Sequence, residues 1–370
     1  MTRSIRIAFR ADASLAIGTG HVMRCITLAQ ALADQGAECV FLCREHPGHL
    51  LDAIRKRGFE VRPLPLHDPA DTISVDSGPS HASWLGTDWR TDADDVVTAL
   101  AGDTVDWLVV DHYALDRRWD NALRPFCKHL LAIDDLADRE HDCDVLLDQN
   151  LGRAASDYNG LVPEHARILA GPMHALLRKD FSELRAGSLA RRHLSPAIRN
   201  ILISMGGVDQ PNATARTLAV LQQTDLPDDC RVTVVLGPHA PWRDDILTRA
   251  AAMKWPTEVL INVADMGSLM AASDLAIGAA GTTSWERCCL GLPALIVVLA
   301  DNQKDAARAL EREGAAIALK RFPDTAFNIE LEAAVHELIN APEKLMAMSV
   351  AASSMTNGQG ADRLASSMVM

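Results

Sequence analysis

Short runs of apolar, β-branched residues recur along the chain, and between them apolar positions return every three or four residues. That alternation predicts parallel strands layered with helices. In the first half the strands are expected at residues 5–10, 38–43, 107–110, 130–133, 145–147 and 167–169, and in the second half at 199–204, 232–236, 258–261, 275–277, 294–299 and 316–319. A helix is predicted over 21–35, with Val22, Cys25, Ile26, Ala29 and Leu32 on its apolar side and Gly36 stopping it. Arg, Ser and Gly gather at 182–197 ahead of Pro196, which predicts a linker there. Residues 67–89 read as a surface loop with a short helix after it. The expected architecture is α/β, with two Rossmann-like parallel-sheet domains facing a cleft: 1–185, 195–355 and a tail helix at 356–370.

Composition narrows the function. At 370 residues the chain exceeds what one core usually serves, and 48% hydrophobic with 23% charged residues excludes a disordered chain. A net charge of −13 and the lack of a long Lys/Arg run argue against a nucleic-acid partner. No apolar run reaches the roughly 18–20 residues of a membrane span, and no signal-peptide core stands at the start, so a soluble, cytoplasmic protein without a membrane partner is expected. Oligomeric state is not legible. The eight cysteines form no C-x-x-C pair and read as core thiols. No motif for a metal or a bound cofactor is present, so neither is expected.

Three glycine-bearing loops lie where a strand ends and a helix begins, the place where parallel α/β sheets bind ligands. The first contains Gly18 and Gly20 ahead of His21; it starts like a dinucleotide fingerprint, but Met23 stands where the third glycine belongs. At a helix N-terminus the positive potential disfavours imidazolium, so His21 is a candidate general base; a helix-start histidine bonded to backbone is the plainer alternative. The second loop carries Gly206 and Gly207, with Asn212 as a helix N-cap, and is either a phosphate loop or a bare turn. The third runs through Gly281, Thr282 and Thr283 into a helix bearing Glu286. Its small residues and free amides suit a phosphate. Glu286 can accept two ribose hydroxyls or simply complement the helix dipole. Asp301, Asn302 and Gln303 follow the next strand, and Asp111-His112-Tyr113 and Asp134-Asp135 end strands of the first half.

The stretch from Phe9-Arg10-Ala11-Asp12 through Gly18-Thr19-Gly20-His21-Val22-Met23-Arg24 resembles the opening signature of the UDP-2,4-diacetamido-2,4,6-trideoxy-β-L-altropyranose hydrolases of pseudaminic acid biosynthesis. The likeness continues through Asp111 to Asp116, Ile133 to Arg139, Leu146 to Asn150, Met205-Gly206-Gly207 with Asn212, Gly281 to Glu286, and Asp301 to Gln303. The long 67–89 segment is a departure. The resemblance implies a glycosyltransferase-B-like fold, with UDP mainly on the second domain and the sugar against the first. It implies inverting hydrolysis of the UDP-sugar, with His21 as base. Arg10, Asp12, Gly18, Gly20, Arg24, Asn150, Gly206, Gly207, Asn212, Gly281, Thr282, Thr283, Glu286, Asn302 and Gln303 are the expected substrate-binding residues. A glycosyltransferase of the same fold and a non-catalytic nucleotide-sugar-binding protein are the alternatives.

Overall fold

The computed structural model describes residues 4–67, 78–238 and 240–370, apart from the side chain of Asn302. The chain divides into two compact units, Met1–Leu176 with Gln359–Met370, and Leu177–Gly358.

Unit 1 contains β1 (Arg6–Ala11), α1 (Gly20–Ala33), β2 (Glu38–Arg44), α2 (Leu51–Arg55), β3 (Glu60–Leu64), α3 (Trp89–Leu100), β4 (Val105–Asp111), α4 (Arg117–Leu123), β5 (Cys127–Ile133), β6 (Val145–Asp148) and β7 (Arg167–Ala170). The strands form one parallel sheet in the order β3-β2-β1-β4-β5-β6-β7. Alternate residues of β1 feed two cores. Ile7, Phe9 and Ala11 pack with Val22, Cys25 and Leu28 of α1, while Ala8 packs with Leu108, Val110 and Trp119. A strand buried on both faces needs a nearly continuous apolar run, which is why these strands are legible in the sequence. The edge strand β3, with Pro63 in it, is not among the expected strands; proline is tolerated there because one side of an edge strand has no partner to bond.

Unit 2 contains α5 (Lys179–Leu194), β8 (Asn200–Ser204), α6 (Ala213–Leu221), β9 (Arg231–Leu236), α7 (Arg243–Ala251), β10 (Thr257–Ile261), α8 (Met266–Ala272), β11 (Leu275–Ala279), α9 (Thr283–Cys289), β12 (Ala294–Val297), α10 (Lys304–Arg312), β13 (Ala316–Ala318), α11 (Phe327–Asn340) and α12 (Pro342–Met355). Its parallel sheet runs β10-β9-β8-β11-β12-β13. The order turns about its first strand as in unit 1, so both units are Rossmann-like.

One part of the expected layout is corrected, and the expected tail helix finds its place. The stretch read as a linker is the helix α5, whose Arg191 and Arg192 donate to the carbonyls of Ala271, Ser273, Met270 and Leu290 and so tie the helix into unit 2. Its buried residues are only Phe181, Ser188 and Arg192, so it lacks an apolar stripe. The tail, α13 (Gly360–Val369), packs on α1 of unit 1, where Leu364, Ala365 and Met368 complete the core and the Trp107 indole donates to the Met368 carbonyl at 3.0 Å. Gly360 is required at its start, since a Cβ there would collide with the Ala175 carbonyl oxygen.

Candidate functional site

In unit 1 the chain order of the sheet reverses between β1 and β4, and Ala11 stands in register with Asp111 at their carboxyl ends. Gly18, at φ +81°, closes a small loop by bonding to the Ser14 carbonyl at 2.9 Å, and α1 starts two residues later. His21 is thereby set in the first turn of α1, 8% exposed, with its Nδ1 2.6 Å from Asp111 Oδ1. The same carboxylate accepts two bonds from Arg24, at 2.6 and 2.7 Å. Arg24 continues to Asp135 at 2.6 Å, and Asp135 also accepts from the Tyr113 hydroxyl at 2.6 Å and from Asn150 Nδ2 at 3.2 Å. Burial alone would raise the Asp111 carboxyl, but Arg24 and His21 outweigh it and hold it below the usual carboxylate range.

Chemically this is a histidine with an orienter. With Nδ1–H donated to Asp111, Nε2 carries the lone pair, and an imidazolium formed by taking up a proton is stabilised by the carboxylate. The plainer alternative of a backbone-bonded helix-start histidine is replaced by this side-chain partner. Asp111 was legible only as a strand-end carboxylate, because its partner lies 90 residues away.

Arg10 and Asp12 stand elsewhere and are corrected. Both are fully buried. Arg10 donates to Asp92 at 2.7 and 3.1 Å and to Asp12 at 2.8 Å, while Asp92 also accepts from Arg44 at 2.6 Å and the Trp119 indole at 3.0 Å. His46 and His112 each bring Nε2 within 3.5 and 3.4 Å of Asp12. These groups brace the strand ends from within and offer no surface to a ligand. Sequence reasoning missed Asp92 and Arg44, whose polarity inside apolar surroundings is visible only in three dimensions.

In unit 2 the corresponding reversal lies between β8 and β11, where Ser204 is in register with Gly278. The loops bearing Gly206-Gly207 and Gly281-Thr282 leave the sheet side by side there. Glycine is obligatory at Gly278, where a Cβ would meet the Ser204 carbonyl oxygen, and at Gly237, where it would strike the Gly207 carbonyl. Gly206, at φ +92°, adopts a backbone conformation that disfavours side chains. Thr282 and Gly281 are exposed and Thr283 is half-buried. Buried Arg287 fastens α9 to β11 through the Ala279 carbonyl and to the Ser284 hydroxyl, each at 2.9 Å. Glu286 keeps part of its surface open, and burial pushes its carboxyl up to about 7 against the opposing pull of Arg178 and Arg287.

Two of the expected residues make bonds within the fold here. Asn212 is the N-cap expected, accepting from the Ala215 amide at 3.3 Å, and its amide donates to Asp245 at 3.2 Å, so its polar atoms serve the fold. The carboxylate of Asp209 takes the first amides of α6, those of Ala213 and Thr214, both at 2.9 Å. An anion is therefore left with the glycine amides of this loop and the start of α9. Gln303 folds back to accept from the Leu299 amide at 2.9 Å, and the side chain of Asn302 lies outside the described residues. Among the described residues no cluster suited to a metal ion occurs and no helix is long and apolar enough to cross a membrane.

Because Gly237 abuts the Gly207 backbone, Gly237→Ala is expected to displace that loop, costing about 1–3 kcal/mol of stability. Thermal unfolding should show that loss, and an unchanged melting temperature would mean that the Gly207 backbone yields to the added methyl without cost.

Residues 216–364 match the C-terminal domain of glycosyltransferase family 28. An uncharacterized protein of Methanocaldococcus jannaschii is 24% identical over 88% of this chain, which spans 60% of that relative's length. The UDP-2,4-diacetamido-2,4,6-trideoxy-β-L-altropyranose hydrolase of Campylobacter jejuni is 25% identical over 60% of this chain and 68% of its own. The crystal structure of Acinetobacter baumannii MurG superposes with a TM-score of 0.72 over 99% of both chains, at 16% identity. The chain therefore has the glycosyltransferase-B fold and is related to the nucleotide-sugar enzymes built on it.

Proposed function

We propose that the chain breaks the anomeric C–O bond of a UDP-linked sugar by inverting displacement, with His21 as the base that deprotonates the attacking hydroxyl. The observation that carries this reading is the 2.6 Å His21–Asp111 pair at the strand ends of unit 1. Unit 2 supplies the amides of Gly206, Gly207, Thr282 and Thr283 for the diphosphate. Charge developing on UDP as it leaves is best stabilised by such fixed dipoles, so the protein's remaining task is one proton transfer. Arg24 and Asn150 act through Asp111 and Asp135, keeping the dyad in register.

Two nucleophiles fit. Water is supported by the likeness to the Campylobacter jejuni hydrolase, and makes the substrate a UDP-diacetamido-trideoxy sugar. An acceptor hydroxyl is supported more directly by the family 28 match and the MurG-like fold, and makes the chain a glycosyltransferase. Proton NMR of a panel of UDP-sugars separates them. Free sugar of inverted anomeric configuration, appearing without any acceptor, establishes the hydrolase; UDP release strictly dependent on an acceptor establishes the transferase. Tight binding with no turnover under either condition would refute both.

Glu286 gives the proposal a pH signature. A carboxylate accepts two ribose hydroxyls only when ionised, and its carboxyl is held near 7 by burial. Affinity for a UDP-sugar, whose diphosphate does not titrate near neutrality, is expected to be full above that pH and to weaken as pH falls through it. Glu286→Gln should flatten this dependence; an unchanged profile would assign Glu286 to the helix dipole instead.

A further inference from the structure

Resting on the nucleotide-sugar reading above, we infer that the turn carrying His81 and Trp84 is the sugar-selecting wall of unit 1, taking the apolar face of a deoxy sugar. This turn lies in the 67–89 segment, of which residues 68–77 are outside the described residues. The remainder forms a short 3-10 turn, Ala82–Leu85, ahead of α3, whose N-cap Asp88 accepts from the amides of Arg90 and Thr91 at 2.8 and 3.1 Å.

The rings form a continuous surface leading to His21. The Tyr113 ring meets His21 edge-on with centroids 4.6 Å apart. Trp84 lies nearly parallel to Tyr113 at 5.9 Å, and His81 fills the corner at 4.5 Å from Trp84 and 5.5 Å from Tyr113. Phe, Trp and Tyr together make up only 4% of the chain, which has just two tyrosines, so a tyrosine and a tryptophan grouped beside His21 with a second imidazole are not background. His81 and Trp84 are half-buried, leaving ring surface open.

The turn is anchored rather than draped. Leu85 enters the core at 1% exposed, and Gly86, at φ +71°, seats against the His46 ring so closely that a Cβ would collide with it. The polar edge of Tyr113 is committed to Asp135, the Arg139 guanidinium lies over its ring at 5.8 Å, and Ser80 lies 3.0 Å from His81 Nδ1, so Trp84 and His81 carry the ring surface the wall presents. Aromatic faces carry negative potential and favour C–H groups over hydroxyls, and a site lined by rings rewards a missing hydroxyl. A sugar with methyl and ring C–H groups on one side, such as a 6-deoxy sugar, suits this wall; its fully hydroxylated counterpart does not.

The test pairs two UDP-sugars that differ only in the C6 hydroxyl, using the full-length wild type, Trp84→Ala, His81→Ala and Trp84→Phe, with acceptors present and absent. For the deoxy substrate Trp84→Ala should raise KM about three- to tenfold, the worth of one aromatic contact, with kcat nearly unchanged. Discrimination between the two sugars should collapse in Trp84→Ala and persist in Trp84→Phe, with melting temperatures alike. Turnover with undiminished discrimination in Trp84→Ala would overturn the inference alone. No turnover of either sugar by the wild type would overturn the nucleotide-sugar reading and the inference with it.

Discussion

His21→Ala is expected to lower turnover of the UDP-sugar by about 10²- to 10⁴-fold, the usual contribution of a positioned general base. Nucleotide binding should be unchanged, because the loops assigned to UDP belong to unit 2 and His21 to unit 1. The loss should fall on kcat, since proton transfer from the nucleophile matters in the transition state and not in the ground-state complex. Asp111→Asn extends the argument: an amide can still bond Nδ1 but cannot stabilise imidazolium, and Arg24 keeps only Asp135 as an anionic partner. Stopped assays with calorimetry of UDP on the same samples check both halves. A His21→Ala enzyme at wild-type rate would remove the base from the proposal; a large loss of UDP affinity would show that His21 serves binding.

Asp92→Ala carries the largest expected effect on stability. The carboxylate accepts from two guanidinium groups and an indole, all fully buried. Burial works against its ionised form, and Arg10 and Arg44 overcome this, keeping its carboxyl below the ordinary range. Removing it leaves Arg44 with Asp95 and Arg10 with Asp12, two buried guanidinium groups short of the carboxylate they share, and breaking a buried charge set in this way costs about 3–5 kcal/mol. The damage should be local. Hydrogen exchange at β1, β2 and β4 should accelerate while β8 and β11 stay protected, a pattern that avoids treating two units as one transition. Unaltered protection in unit 1 would mean that Arg10 and Asp12 are not a structural brace, and would reopen their assignment to the substrate.

The fold was legible where burial is symmetric. Central strands such as β1 and β4 are apolar on both faces and are found from composition alone, whereas β3, with Arg62 and Pro63 at the sheet edge, carries no such pattern. Helix α5 was hidden by its charge: its buried positions include Arg192, held by carbonyl groups rather than by apolar packing. The return of α13 to unit 1 depends on pairing between Trp107 and Met368, a separation no local pattern spans. Within the candidate site, the strand-to-helix junctions were legible as the loops at the carboxyl ends of both sheets, and a histidine at a helix start is conspicuous. What the junctions could not reveal is which polar groups are already satisfied. Arg10, Asp12 and Asn212 share the junctions with His21, Gly206 and Thr282, yet their polar atoms bond within the fold, as does the side-chain carbonyl oxygen of Gln303.

The central claim is that oxygen from the nucleophile ends on the anomeric carbon, after proton removal by His21. Turnover in ¹⁸O-enriched water, followed by mass spectrometry of both products, tests it most directly. The account predicts that the isotope never enters UDP: it appears on the anomeric carbon when water is the nucleophile, and in neither product when an added acceptor supplies the oxygen. Isotope found on the β-phosphate of UDP would place the attack at phosphorus and contradict the mechanism.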